Sequence, residues 1–440
     1  MNNPELRRLL WLDCTPARIA AVMGTLVALL GLGWLIDDRG AGPTTAGFAL
    51  VGFVACTLAW GTLQVGASVL DELRQRTWDQ QRMSALTPWE MTWGKLAGAG
   101  ALPWLGGTLA LVVYAWAASE PDLPWRLLLL VAAALLLQGL ALGGSLLLLQ
   151  RGGDGRASTQ LRTFGALAVL WVAWSFTQRG GARIEWFGEV WAAAPFTALA
   201  VLSLAGWAIF GSQRLMCEAL QVRTLPWALP AFIVYLALLV AGFFVDGDTT
   251  PLVRRLIVSS CGLLASLGSA YLCAFALKTE PLLPRRLVVA WRDGDRVRVL
   301  ATLPAFAIAL ATGAVFTAAT LFATGTAEVT LPEELLLRAP AGALPVFLYG
   351  LRDLVVLFGL RVGAAPGRFE LFASLYLVVV YWLLPGLAAF TGLPGFGRAL
   401  APLPWLRPME AALILLGHVA LATSWASLAY RRRSVMPGGA

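Results

Sequence analysis

The chain has 440 residues, of which 58% are hydrophobic and only 13% charged, half the ~25% charged usual in soluble domains. That composition excludes an ordinary soluble domain and describes a protein that is mostly membrane. The formal net charge of +8 does not point to nucleic acid, because the basic residues fall in short clusters between apolar runs, the pattern that membrane orientation produces.

Residues 1–18 carry Arg7, Arg8 and Arg18 and lead into an apolar run with no small-residue cleavage site, so the N-terminus reads as an anchor. About twelve candidate spans follow, near 19–36, 46–70, 92–118, 126–150, 163–178, 191–212, 227–245, 256–277, 301–324, 341–360, 370–392 and 409–429. The expected fold class is therefore all-α, a polytopic transmembrane helix bundle with short cytoplasmic surface helices. Basic clusters at Arg74, Arg76, Arg82 and Lys95, at Arg151, Arg156 and Arg162, at Arg214 and Arg223, from Lys278 to Arg298, at Arg361 and Arg368, and at Arg431 to Arg433 mark one face as cytoplasmic. Both termini then lie inside. The loop with Glu328, Glu333 and Glu334 lies outside, and Arg254 with Arg255 is the pair this topology explains least.

Two polar islands interrupt the apolar runs, 71–95 and 278–298. They occupy the same slot if the chain is two six-span halves, 1–213 with a coupling-type helix at 71–90, and 214–440 as a diverged copy. Residues 71–86 contain no proline or glycine and predict one surface helix, ended by Thr87-Pro88 as the cap and first turn of the next. On it, Glu72, Arg74, Arg76, Asp79 and Arg82 can face water or a partner, while Leu73, Trp78, Met83 and Leu86 form an incomplete apolar stripe. Composition alone favours a solvated interfacial loop whose arginines set topology. The second island reads as a connection broken by Pro281 and Pro284, then a short helix with Trp291 among basic groups and an Asp293-Gly294-Asp295 turn. It is either a second docking element or a positive-inside anchor.

Chemistry-bearing motifs are scarce. Gly94-Lys95 lacks the remaining residues of a phosphate-binding loop, with Trp89 and Leu96 at the positions that need Gly and Ser or Thr. Arg151 to Gly155 reads as a flexible turn. The five cysteines form no CxxC pair, the lone His418 cannot build a zinc site, and no metal is expected. Gly139-x-x-x-Gly143 predicts close helix packing. Arg352 and Asp353 interrupt the tenth span, where a mid-depth charge costs about 2.5–3.5 kcal/mol. Neighbours on a helix point ~100° apart, so the two are not expected to satisfy one another. They line a path at mid-depth, or their span is broken or short and leaves them near the inner surface.

The 72–95 segment resembles the signature of the type-2 ABC exporter permeases, a glutamate-led cytoplasmic stretch that ends in Gly-Lys before the third span. Glu72, Thr77, Asp79, Ser84, Leu86, Pro88, Trp89, Glu90, Gly94 and Lys95 fit that frame, while Arg76 replaces its glycine and Ala85 its first proline. Arginine favours helix over glycine, so the helix is expected to continue through Arg76. The resemblance implies a permease that forms the path for a small-molecule, lipid or polysaccharide substrate among membrane lipid. It docks a separate nucleotide-binding ATPase subunit through Glu72, Arg74, Arg76, Asp79, Arg82, Trp89 and Glu90, and through Trp291, Arg292 and Asp293. ATP hydrolysis belongs to that subunit, so this chain needs no cofactor of its own. The alternative is a non-transporting scaffold or assembly factor derived from such a permease.

Overall fold

Lipid offers the backbone no hydrogen-bond partners, so apolar runs of this length cross it as helices that satisfy themselves. The computed structural model describes residues 3–84, 86–150, 183–222, 224–276, 283–325, 342–363, 368–391 and 408–435. It is a membrane-embedded protein, and its described residues form helices and their connections apart from one short hairpin. Two compact units emerge, Met1–Ile184 with Val190–Thr224, and Glu185–Glu189 with Leu225–Ala440.

In the first unit, α1 (Pro4–Asp13) starts on an Asn3 cap that accepts from the Glu5 and Leu6 amides, and α2 (Pro16–Ile36) starts on a Thr15 cap. Both place proline in the first turn, where no amide donor is required. Next, α3 (Pro43–Phe53) passes through a π-turn, Val54–Trp60, into α4 (Gly61–Arg74). After the short α5 (Trp78–Arg82) come α6 (Pro88–Ala99) and α7 (Ala101–Ala117), bent by 54° at Gly100. The span expected at 92–118 is bent there because Pro103 cannot donate to the Ala99 carbonyl and Gly100 leaves that turn unbraced. The unit closes with α8 (Leu123–Gln150) and α9 (Ala193–Ala219). Gln138 of α8 donates to the Thr57 carbonyl inside the π-turn at 3.1 Å and accepts from the Trp104 indole at 2.9 Å.

The hairpin β1 (Arg183–Trp186) and β2 (Glu189–Ala192) turns through Phe187 and Gly188, both at positive φ, as a two-residue hairpin requires. The second unit contains α10 (Ala228–Ala241), α11 (Pro251–Ala276), α12 (Leu283–Arg292), α13 (Arg296–Thr302), α14 (Ala305–Gly325) and α15 (Ala343–Gly363). It continues as α16 (Phe369–Val378), a π-turn at Val379–Leu383, α17 (Leu384–Thr391) and α18 (Pro408–Val435). Its core joins Ile233, Ala270, Ala309, Leu354, Leu357 and Ala373.

Among the described residues, nine helices are long and apolar enough to cross a membrane, or ten if the bent α6–α7 pair is one span. The expected count of twelve is not confirmed among them. The span expected at 163–178 and the Arg151–Gly155 turn lie outside the described residues, and the one expected at 227–245 is a shorter apolar helix, Ala228–Phe244. Of the second island, the connection through Pro281 lies outside the described residues; Pro284 does not break the helix but sits in the first turn of α12, and the Asp293-Gly294-Asp295 turn, with Gly294 at φ +70°, leads into a second helix, α13.

The Gly139-x-x-x-Gly143 motif packs as expected. A Cβ on Gly139 would come within 3.1 Å of the Ala208 Cβ, one on Gly143 within 3.2 Å of the Ser212 hydroxyl, and that hydroxyl donates to the Gly139 carbonyl at 2.7 Å. Gly139→Val is expected to destabilise the purified protein by about 1–3 kcal/mol through overpacking, measured by thermal unfolding in detergent. Gly24→Ala, with nothing within 4 Å of the added carbon, is the control expected to lose nothing.

Candidate functional site

The first polar island is built around a lysine taken out of water. Lys95 is fully buried, and its Nζ lies 2.5 Å from Glu72, 3.3 Å from Glu5 and 3.4 Å from the Gln81 amide oxygen. Arg8 grips Glu5 with two bonds of 2.9 and 3.0 Å and reaches Glu72 at 2.5 Å, so two carboxylates face two cations. Gln81 donates to Glu72 at 2.6 Å, and the Trp78 ring lies 5.8 Å from the ammonium. A buried charge is tolerable only with such pairing and hydrogen bonding. Burial pushes the Glu5 carboxyl up, but the Arg8 hydrogen bond and the charges of Lys95 and Arg8 outweigh it and hold it below its ordinary range.

This cluster needs α1 to lie directly on α6. Glycine permits that approach: a Cβ at Gly94 would sit 2.6 Å from Glu5 Cγ, and one at Gly98 would sit 2.8 Å from Leu9 Cβ. Asn3 adds a bond of 2.7 Å to the Glu90 carbonyl. At the start of α6, Thr87 and Glu90 form the reciprocal capping box, the helix start expected from Thr87-Pro88.

The single helix expected over 71–86 is not formed. α4 ends at Arg74, the Arg76 amide bonds the Leu73 carbonyl at 3.2 Å, and the Thr77 amide bonds the Glu72 carbonyl at 2.9 Å. This is the Schellman termination, and its left-handed position is Arg76, at φ +58°. The residue expected to carry the helix through therefore ends it, because the geometry there suits glycine. Only five residues, Trp78–Arg82, resume as α5.

Exposure divides the docking candidates. Arg74, Arg76, Asp79, Arg82 and Trp89 are exposed, and Glu90 is half-buried in its capping box. Glu72 is 6% exposed, so it does not face water as expected but holds Lys95. Trp78 is buried and Leu86 packs on the same core, whereas Met83 is 87% exposed. On the second island, Trp291, Arg292 and Asp293 are exposed. The signal for α1's part was the Glu5–Arg8 spacing beside Leu6, Leu9 and Leu10, a charged helical turn on an apolar face.

A second polar cluster lies within the spans. α15 runs unbroken through Arg352 and Asp353, its tenth and eleventh residues, so the helix is not broken at the pair. Contrary to expectation the two satisfy one another: the flexible Arg352 side chain folds back so that Nε donates to Asp353 at 2.9 Å. Asp353, fully buried, also accepts from Tyr271 and Tyr376 at 2.7 Å and from Tyr381 at 2.5 Å. Arg352 stacks on the Tyr349 and Tyr381 rings, 4.9 and 5.7 Å from their centres. Three of the chain's seven tyrosines thus converge on one carboxylate, a link between distant segments that sequence reasoning missed. The π-turn at Val379–Leu383 carries Tyr381, consistent with the occurrence of such turns where a side chain must be re-aimed.

Beside the pair is an open apolar groove of about 640 Å³ whose walls include Arg352, Tyr376, Leu421, Trp425 and the lone His418. Among the described residues no three His, Cys, Asp or Glu side chains group as a metal site, and no disulfide forms.

Two outcomes check this geometry. Lys95→Met leaves two buried carboxylates under-compensated and is expected to cost about 3–5 kcal/mol; adding Glu72→Gln should recover part of that loss in a double-mutant thermal-unfolding cycle. Arg76→Gly relieves a left-handed side-chain conformation and is expected to stabilise by about 1 kcal/mol, where a continuous helix would instead lose about that amount. No protein-family model, curated protein or solved structure matches this chain, so the residues and their geometry carry the functional reading.

Proposed function

We propose that the chain is the membrane-spanning permease component of an ABC-type exporter, which forms the substrate path and docks a separate ATPase subunit. The observation that carries this reading is the physical sense of the 72–95 frame. Its first and last residues, Glu72 and Lys95, are joined by a buried ion pair, and the position where the frame has glycine adopts a left-handed backbone. Two spaced features of the signature thus have structural reasons in this chain.

In this reading the island is a docking platform at the cytoplasmic face of a bacterial-type inner membrane, with both termini inside. Arg74, Arg76, Asp79, Arg82 and Trp89 offer the contact surface. The buried pair ties that surface to α4 and α6, so a displacement imposed by ATP closure in the partner reaches two helices at once. Substrate passage then follows alternating access, with the chemistry supplied by the partner.

The test is co-expression and co-purification with a nucleotide-binding subunit encoded beside the gene. Asp79→Lys with Arg82→Glu, both exposed, is expected to weaken association several-fold and reduce transport-coupled ATPase activity while insertion and melting temperature persist. Unchanged association and activity would reject the island as the docking surface. Failure of any such subunit to bind the unmodified chain would favour the scaffold reading.

A further inference from the structure

We propose that the α12–α13 helical hairpin is an interfacial element that binds anionic phospholipid. The inference concerns the lipid surface and does not depend on an ATPase partner. Its position follows from its tethers. α11 and α14 are both candidate spans, and the hairpin lies between the end of one and the start of the other, joined by residues 277–282 and by Leu303-Pro304. At no more than ~3.6 Å per residue, those connections hold it near the membrane surface at which α11 ends and α14 begins.

The side chains suit that surface. Along α12, Leu283, Leu287, Val288 and Trp291 fall on one helical face by their spacing, with Arg285 and Arg292 together on another. Trp291 is 76% exposed and Val288 50%, and on α13 Val297 and Leu300 are exposed as well. Soluble surfaces hold few such clusters, whereas apolar side chains rimmed by arginine characterise helices lying in the lipid interface.

Charge selects the lipid. The hairpin carries Arg285, Arg286, Arg292, Arg296 and Arg298 against Asp293 and Asp295. Both aspartates are engaged within it, Asp295 accepting from the Arg298 amide at 2.9 Å and Asp293 lying 3.8 Å from the Arg298 guanidinium. The exposed guanidinium groups of Arg285, Arg292 and Arg296 match the phosphate of an anionic headgroup. An acidic protein surface would satisfy the charges, but it would not explain valine, leucine and tryptophan exposed beside two membrane spans.

The test uses the full chain with its five cysteines replaced by serine and a single bimane label at Val288→Cys or Trp291→Cys. The protein is placed in nanodiscs of brominated phosphatidylcholine with or without brominated phosphatidylglycerol. Quenching of both labels is expected to be several-fold stronger with phosphatidylglycerol and to lose that difference in Arg285→Gln/Arg292→Gln/Arg296→Gln. An unchanged elution volume and melting temperature would show that the triple variant folds. Quenching that is absent, or that is the same in both lipids, overturns the proposal. So does a label shielded only when a nucleotide-binding subunit is added, which would assign the surface to protein docking.

Discussion

Burial of the Lys95 ammonium is the constraint on which the first unit's polar face depends. An ammonium removed from water loses several kcal/mol of hydration even after relaxation. Its counter-charges must therefore be close and held from more than one direction. Here they come from Glu72 at the end of α4 and Glu5 on α1, and the neutral Gln81 amide oxygen on α5 accepts a third hydrogen bond. Each requirement constrains backbone elsewhere: glycine at 94 and 98 so that α1 can approach, a left-handed turn at Arg76 so that α5 folds back, and a capping box so that α6 begins where it does.

The same logic operates inside the spans with different residues. Asp353 is surrounded by a guanidinium and three phenols, which together supply the donors that water would have provided. The arrangement spreads the cost of one charged pair over α11, α15 and the helix that runs through the π-turn from α16 to α17, and so locks those elements together. Both π-turns stand at polar nodes of this kind, one presenting the Thr57 carbonyl to Gln138 and the other carrying Tyr381 to Asp353. A helix with one residue extra in a turn re-aims its neighbours without leaving the helical hydrogen-bond economy.

The sequence by itself determined the helical, membrane-embedded class, the existence of most long helices, the start of α6 and the close packing at Gly139 and Gly143. Each rests on local information: apolar length, a capping pattern, the absence of a side chain. It could not determine the fate of charge. Glu72 and Asp79 read alike in one polar stretch, yet Glu72 is buried and Asp79 exposed, because a lysine 23 residues later and a helix 64 residues earlier meet Glu72 in space. Arg76 has good helix propensity, but propensity is a weak prior that tertiary closure overrides. The arginine and aspartate at 352 and 353 looked unable to pair from helix geometry, and the flexible arginine side chain together with tyrosines from two other segments decided otherwise. Tertiary structure alone settled these points, since whether a charge is paired depends on segments that the chain brings together only when it folds.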